Sequence, residues 1–107
     1  MAEPAFSLCV YCGSRPGENA LFTDAARAVG TWIGQNGGQL VYGGGSGGLM
    51  GTVARATADA GGRVVGVIPQ SLVDREFANR DCDELHIVQT MHERKALMAE
   101  RSGAFLA

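Results

Sequence analysis

Apolar residues recur along the chain in two alternating patterns. Residues 6–12 form a near-continuous apolar run, as expected for a strand that is covered on both faces. From about Asn19 to Gln35 the apolar side chains recur on one face with a 3.6-residue period, which predicts a helix. They are Leu21, Ala25, Ala28, Val29, Trp32 and Ile33. Gly37 and Gly38 follow and predict its end, because glycine takes the left-handed cap conformation without steric cost.

The alternation continues to the last residues. Further strands are predicted at 39–42, 63–68 and 85–88, a helix at 49–60, and a polar loop with room for one helical turn at 70–83. Thr90 and Glu93 match the S/T-x-x-E capping box, which places a helix start at Thr90. That helix is predicted to run to about Arg101, and residues 103–107 look like the opening of a fifth strand.

Strands that alternate with helices over short connections predict an α/β fold with a Rossmann-like, doubly wound parallel sheet. We expect one nucleotide-binding domain over residues 1–107, truncated after the start of the fifth strand, with its C-terminal part missing. In such sheets ligands bind outside the carboxyl ends of the strands. The residues just after each predicted strand are therefore the first candidates for chemistry.

Charge and cysteine usage exclude several classes of protein. A formal net charge of −2 gives no broad positive field, so nucleic acid and anionic membranes are poor partners. The sequence shows neither a 20-residue apolar run nor a basic-then-apolar leader, and we expect a cytoplasmic protein. Cys9 and Cys12 lie three apart on a predicted strand and would face opposite sides, so we expect buried, inert thiols. With two histidines and no ligand spacing, no metal site is expected.

The segment Gly43-Gly44-Gly45-Ser46-Gly47-Gly48 satisfies G-x-G-x-x-G between a predicted strand and a predicted helix. Bare glycines let backbone N–H groups approach an anion, and the helix N-terminus adds about half a positive charge, so a phosphate site is physically sensible. Dinucleotide binding is disfavoured because Ile68 and Pro69 stand where an acidic residue would hold a ribose hydroxyl. No Gly-Lys-Ser/Thr follows, which excludes a Walker loop. The alternative is that the glycines serve only tight helix–sheet packing.

A second cluster lies on the helix predicted after Thr90. Arg94 and Lys95 flank the line of Met91 and Met98 within one helical face. Burying cations is costly unless an anion meets them, so this face predicts an anion site. The alternative is that both side chains snorkel at the rim of the helix. Glu76 lies in the loop after the third strand, at the same edge of the sheet, and by its local sequence alone is a surface charge.

Two segments carry a family resemblance. Residues 42–51, Tyr-Gly-Gly-Gly-Ser-Gly-Gly-Leu-Met-Gly, and residues 91–98, Met-His-Glu-Arg-Lys-Ala-Leu-Met, resemble the LONELY GUY (LOG) family. Its members are cytokinin riboside 5′-monophosphate phosphoribohydrolases, long mislabelled as lysine decarboxylases. Residues 10–17 are similar to the family's first strand and loop, and the resemblance covers essentially all 107 residues.

The resemblance implies a homodimeric hydrolase that needs no metal or organic cofactor. It would cleave the N-glycosidic bond of an N6-substituted adenosine 5′-monophosphate, or of AMP, to free base and ribose 5-phosphate. By position Arg94 matches the catalytic arginine, and Glu76, Arg94 and Lys95 match substrate-binding residues. The expected substrate-binding set also includes Ser14, Gly43, Gly44, Gly45, Ser46, Gly47 and Met91.

After the segment that corresponds to Ser102–Ala107, family members continue with Pro-Gly-Gly-x-Gly-Thr-x-x-Glu. That loop cradles the phosphate and supplies a second catalytic residue, so we expect the 107-residue chain alone to be inactive. The alternative function is that of a nucleotide or molybdenum-cofactor carrier with a similar fold and glycine loop. Arg94 and Lys95, together with Glu76, favour the hydrolase. A pyridoxal-phosphate decarboxylase is disfavoured because the only lysine is Lys95, inside the basic pair.

Overall fold

The computed structural model describes residues 4–11, 20–75 and 77–106. In chain order its elements are β1 (Ser7–Val10), α1 (Ala20–Gln35), β2 (Gln39–Tyr42), α2 (Gly48–Asp59), β3 (Arg63–Pro69), a 3₁₀ turn (Gln70–Leu72), β4 (Glu84–Val88), α3 (Met91–Glu100) and β5 (Ala104–Leu106). The predicted order of strands and helices is confirmed, and β2 has the predicted bounds. β1 is shorter than the predicted run 6–12, and the helical turn of the polar loop is the 3₁₀ turn directly after β3.

The five strands form one sheet in the order β4-β3-β2-β1-β5, and each neighbouring pair is parallel. From β1 the chain steps outward through β2 and β3 to β4, and β5 then pairs with the other side of β1. The predicted doubly wound parallel sheet is thereby confirmed. Because the strand order reverses at β1, the crevice beside its carboxyl end is the place where this architecture binds ligands.

Alternating side chains of the strands divide the interior into two cores. Successive strand residues point to opposite faces, so neighbours in one strand enter different cores. The core beneath α1 and α2 contains Val10, Ile33, Leu40, Tyr42, Met50, Val53, Ala54 and Val64. The core beneath α3 contains Cys9, Val41, Val65, Val67 and Met98. Helices thus cover both faces of the sheet, and the chemistry is left to its edges and loops.

Helix α1 buries only part of the face that its apolar residues predict. The exposed members of the predicted face are Ala25, Ala28 and Trp32. The predicted members Ile33 and Val29 do pack against the core, and Gly30 and Gly34 turn inward beside them. A Cβ at Gly30 would lie 2.5 Å from the carbonyl oxygen of Val53, and one at Gly34 would lie 2.7 Å from that of Thr57. The expectation for those three residues is therefore wrong, because close glycine contact with α2 sets the rotation of α1.

Helix α3 begins as the capping box predicts. Thr90 is the N-cap residue, and its side-chain oxygen accepts a hydrogen bond of 3.1 Å from the backbone N–H of Glu93. Such a cap satisfies one of the N–H groups that have no partner inside the helix.

Within residues 4–11, 20–75 and 77–106, no helix has the length and apolar character needed to cross a membrane.

Candidate functional site

A cavity of about 120 Å³ opens where the carboxyl ends of β1 and β2 meet α3. Its lining comes from the ends of the two strands, the first turn of α2 and one face of α3. These residues are Val10, Tyr11, Gly43, Met50, Met91, Arg94, Lys95 and Met98. The structure therefore brings Gly43, Met91, Arg94 and Lys95 together at the predicted edge of the sheet. The roles that the sequence suggests for them remain predictions.

Arg94 is buried beneath this cavity, with 8% of its surface exposed. Its Nε donates a hydrogen bond of 3.0 Å to the carbonyl oxygen of Val67 in β3. Its Nη2 donates one to the carbonyl oxygen of Gly43, directly after β2. Hydrogen bonds from an ionised donor are stronger than neutral ones, and here they fix two corners of a planar group. Arg94 therefore does not snorkel, since the strand ends hold its guanidinium in one orientation.

Lys95 differs from its neighbour, because it is exposed although it lines the same cavity. The basic pair predicted from the helical period thus consists of a buried, oriented guanidinium and a solvent-accessible ammonium. The remaining wall is mostly apolar, with Val10, Met50 and Met98 contributing. Ligand sites combine such apolar walls with a few placed polar groups. This arrangement suits a flat, largely apolar ring that carries an anionic substituent.

The glycine loop, defined here as residues 43–48, is tied to the rest of the protein through its carbonyl groups. The carbonyl of Gly43 accepts from Arg94, that of Gly44 from the backbone N–H of Asn79 at 2.7 Å, and that of Gly45 from the hydroxyl of Tyr42 at 2.8 Å. Gly44 also has a φ of +81°, a conformation that side-chain-bearing residues rarely adopt. The fold therefore places its own demands on Gly43, through the hydrogen bond to Arg94, and on Gly44, through its positive φ. A phosphate-binding role for the loop stays a prediction.

A second segment, residues 77–79, is hydrogen-bonded along the glycine loop. Gly45 and Ala78 form an isolated antiparallel bridge. The backbone N–H and the hydroxyl of Ser46 both donate to the carbonyl oxygen of Phe77, at 2.8 and 2.5 Å. Glu76, the residue before Phe77, lies outside the described residues, as does Ser14. The structure therefore places Ser46 in the join between the two segments.

Tyr42 and Asn79 are site-forming residues that sequence reasoning missed. Tyr42 is fully buried, and its hydroxyl accepts a hydrogen bond of 3.0 Å from the side-chain amide of Asn79 while donating to Gly45. The two residues are 37 positions apart, so no local pattern connects them. The only signal was a tyrosine at the end of a buried strand, because a buried hydroxyl needs a hydrogen-bond partner.

The thiol of Cys9 is buried in the core, and that of Cys82 is partly buried. Burial raises the pKa of the Cys9 thiol, which has no exposed surface, and burial likewise raises the pKa of the Cys82 thiol. A raised pKa lowers the thiolate fraction and hence the reactivity. The expectation of a buried thiol is confirmed for Cys9, whereas Cys12 lies outside the described residues. In the part of the chain that the structure describes, no three His, Cys, Asp or Glu side chains are grouped to hold a metal ion.

Comparison with known sequences identifies the family. The model of a family described as possible lysine decarboxylase matches residues 50–107. The chain belongs to this family. It is 50% identical over 100 residues to the cytokinin riboside 5′-monophosphate phosphoribohydrolase LOG of Oryza sativa subsp. japonica, covering 94% of this chain and 41% of that protein. It is 48% identical over 102 residues to the cytokinin riboside 5′-monophosphate phosphoribohydrolase of Rhodococcoides fascians, covering 94% and 52% respectively.

These relatives confirm the resemblance to the LOG family that the two motifs carried. The chain spans about half the length of the curated relatives it matches. Among solved structures, the molybdenum cofactor carrier protein of Chlamydomonas reinhardtii superposes with a TM-score of 0.72 at 21% identity, over 94% of this chain and 60% of that one. At that identity the match concerns the fold alone.

Proposed function

We propose that this chain is the N-terminal part of a phosphoribohydrolase and that it contributes Arg94 and its cavity to the active site. The substrate is an N6-substituted adenosine 5′-monophosphate or AMP, and the products are the free base and ribose 5-phosphate. The observation that carries the proposal is the buried Arg94 at an apolar cavity, hydrogen-bonded to two main-chain carbonyl groups. Further support comes from the two relatives named as phosphoribohydrolases, which are 50% and 48% identical over 94% of this chain.

The charge that develops during the reaction indicates which part of the substrate Arg94 contacts. When the glycosidic bond breaks, its electron pair leaves with the purine, and the ribose develops oxocarbenium character. A cation beside the ribose would oppose that change, so Arg94 acts on the departing base or on the phosphate. Water then adds its hydroxide to C1′ and its proton to the base. The carboxylate that this step needs comes, in the proposed full-length enzyme, from the glutamate of the Pro-Gly-Gly-x-Gly-Thr-x-x-Glu loop.

The cavity suggests how the substrate is oriented. The apolar side chains of Met50 and Met98 suit the purine ring, and the exposed Lys95 suits the phosphate at the mouth. Helix α2 begins at Gly48, and its N-terminus adds partial positive charge at the same edge of the sheet. Substrate contacts by Ser14 and Glu76 rest on the family resemblance. The homodimer and the lack of a cofactor rest on the same resemblance, whereas a cytoplasmic location remains an expectation from the sequence alone.

Substitution of the basic pair in the full-length enzyme tests the proposal. We expect Arg94→Ala to lower kcat by at least about 10²-fold, the scale seen when one charge-stabilising donor is removed. Arg94→Lys should not restore kcat, because an ammonium cannot reproduce a planar fork that meets the carbonyls of Gly43 and Val67. Lys95→Ala should mainly raise KM, since a point charge at the mouth holds the substrate and the transition state alike. Release of the base, followed by chromatography, gives both constants. Near-normal turnover by Arg94→Ala would contradict the assignment.

A carrier function is the second candidate, since the molybdenum cofactor carrier protein has the same fold, although a shared fold by itself does not decide a function. A carrier would bind its ligand without cleaving it. The wild-type full-length protein decides between the two. If it releases no base from AMP or from N6-isopentenyl-AMP at any enzyme concentration tested, the hydrolase proposal fails and the carrier function becomes the better one.

A further inference from the structure

The first residue of the glycine loop lies against the guanidinium of Arg94. A Cβ built on Gly43 would overlap the Nη2 atom of Arg94, would lie 3.3 Å from its Cζ and 3.1 Å from the Cε of Met50. The carbonyl of the same residue accepts the hydrogen bond from Nη2. Gly43 thus provides both the acceptor for the guanidinium and the space that it fills.

Space, and not backbone conformation, is what requires glycine at this position. Gly44 has a positive φ, whereas Gly43 does not, so an alanine could adopt the backbone of residue 43. The atoms that its Cβ would meet are the ends of two flexible side chains, Arg94 and Met50. The fold can therefore accommodate the methyl group of an alanine if the guanidinium of Arg94 moves aside.

We infer that Gly43 is a positioning residue for Arg94, with a role that differs from the phosphate approach suggested by the glycine motif. The effect on turnover rests on the proposed catalytic role of Arg94, but the packing relation does not. A methyl group at residue 43 displaces Nη2 from the Gly43 carbonyl, while the bond from Nε to Val67 remains at the other corner. Because displacement of a catalytic group by about 1 Å can cost about 10²-fold in rate, a small tilt has a large kinetic effect.

A double-mutant cycle in the full-length protein tests the inference, with Gly43→Ala, Arg94→Ala and the double variant. We expect Gly43→Ala to lower kcat by about 10- to 100-fold and to leave KM within about threefold. In the Arg94→Ala background the same change should leave kcat within about twofold, because no guanidinium remains to be displaced. The loss of Tm caused by Gly43→Ala should likewise shrink in that background, since the shorter side chain vacates the contested space.

Gly61→Ala is the matched control. Gly61 has a φ of +91°, a Cβ added to it would meet nothing within 4 Å, and it lies between α2 and β3, away from the carboxyl edge. This variant should lose Tm through backbone strain, by the same amount in the wild-type and the Arg94→Ala backgrounds. Its kcat should match that of the wild type.

Three outcomes would overturn the inference. One is an additive cycle, in which Gly43→Ala costs as much Tm in the Arg94→Ala background as in the wild type. Another is equal weakening of AMP binding by Gly43→Ala in both backgrounds with kcat retained, which would assign Gly43 to a phosphate cradle. The third is failure of both Gly43→Ala and the double variant to fold, whereas rescue of folding by Arg94→Ala would support the inference. If the wild type proves inactive, the proposed function fails, and the Tm cycle still tests the packing relation.

Discussion

Removal of one buried hydroxyl should weaken the join between the glycine loop and residues 77–79. In Tyr42→Phe the aromatic ring, which has no exposed surface, stays in place, so no cavity forms. The carbonyl of Gly45 loses its donor at 2.8 Å, and the amide of Asn79 loses its acceptor at 3.0 Å. A buried hydrogen bond contributes about 1 kcal/mol net, and a buried group left unsatisfied costs about 1–3 kcal/mol. We expect a loss of about 2 kcal/mol in the free energy of unfolding.

Urea unfolding of the full-length protein measures this loss, with Asn79→Ala and the double variant completing a cycle. Since Tyr42→Phe and Asn79→Ala remove the same bond, the double variant should cost about 1 kcal/mol less than the sum. Thr57→Val is the control: it also removes a buried hydroxyl, but that hydroxyl bonds only the carbonyl of Val53 within α2. It should cost less, because this acceptor keeps its helical partner. A loss below about 0.5 kcal/mol for Tyr42→Phe, or an additive cycle, would show that these two hydrogen bonds do not stabilise the loop.

Three further predictions concern acid stability, the glycine loop and the isolated chain. Hydrogen bonds from Arg101 and then Arg63 hold the pKa of Glu84 well below its usual range, so the ionised form stabilises the fold. In urea unfolding, Glu84→Gln should have a lower free energy of unfolding than the wild type at pH 7, and the difference should shrink as the pH falls below about 4. A difference that does not change with pH would contradict this prediction. In calorimetry, Gly45→Val should weaken the binding of AMP more than that of adenosine, because a branched side chain keeps the backbone N–H groups away from the phosphate. Equal losses of affinity for AMP and adenosine would mean that the loop has only a structural role. Residues 1–107 alone should release no base from N6-isopentenyl-AMP or AMP, and turnover of about 1 s⁻¹ or more would contradict this.

The order and type of the elements follow from hydrophobic period because strands buried on both faces and amphipathic helices leave different patterns. Helix α1 shows the limit of that argument. Its predicted face counted Trp32 as a core residue, yet Trp32 is 54% exposed and packs against the ring of Phe6. Glycine carries no hydrophobic weight, so the pattern is blind to a contact made by Gly30 and Gly34. Contact between the backbones of two helices depends on tertiary packing, so it cannot be predicted from the hydrophobic period of one helix.

The part of the candidate site that lies on a single helix could be predicted from the sequence. Helical spacing placed Arg94 and Lys95 on the cavity face, and the structure agrees. The same spacing did not separate the buried guanidinium from the exposed ammonium. The acceptors that bury Arg94 are main-chain carbonyls of Gly43 and Val67, 51 and 27 positions away. Every residue has such a carbonyl, so residue type gives no signal for this pairing.

The glycine loop shows why one motif supported two interpretations. Gly43 leaves space for a guanidinium, while Gly44 and Gly48 have φ values of +81° and +56° that favour glycine for conformational reasons. Each of these demands arises within the protein and would exist without any ligand. The spacing of the motif is therefore weak evidence for phosphate binding here, and the case for a nucleotide site rests on the buried Arg94 beside its cavity. Substitution of a glycine in the presence and in the absence of Arg94 separates the two interpretations, because only the packing role depends on that side chain.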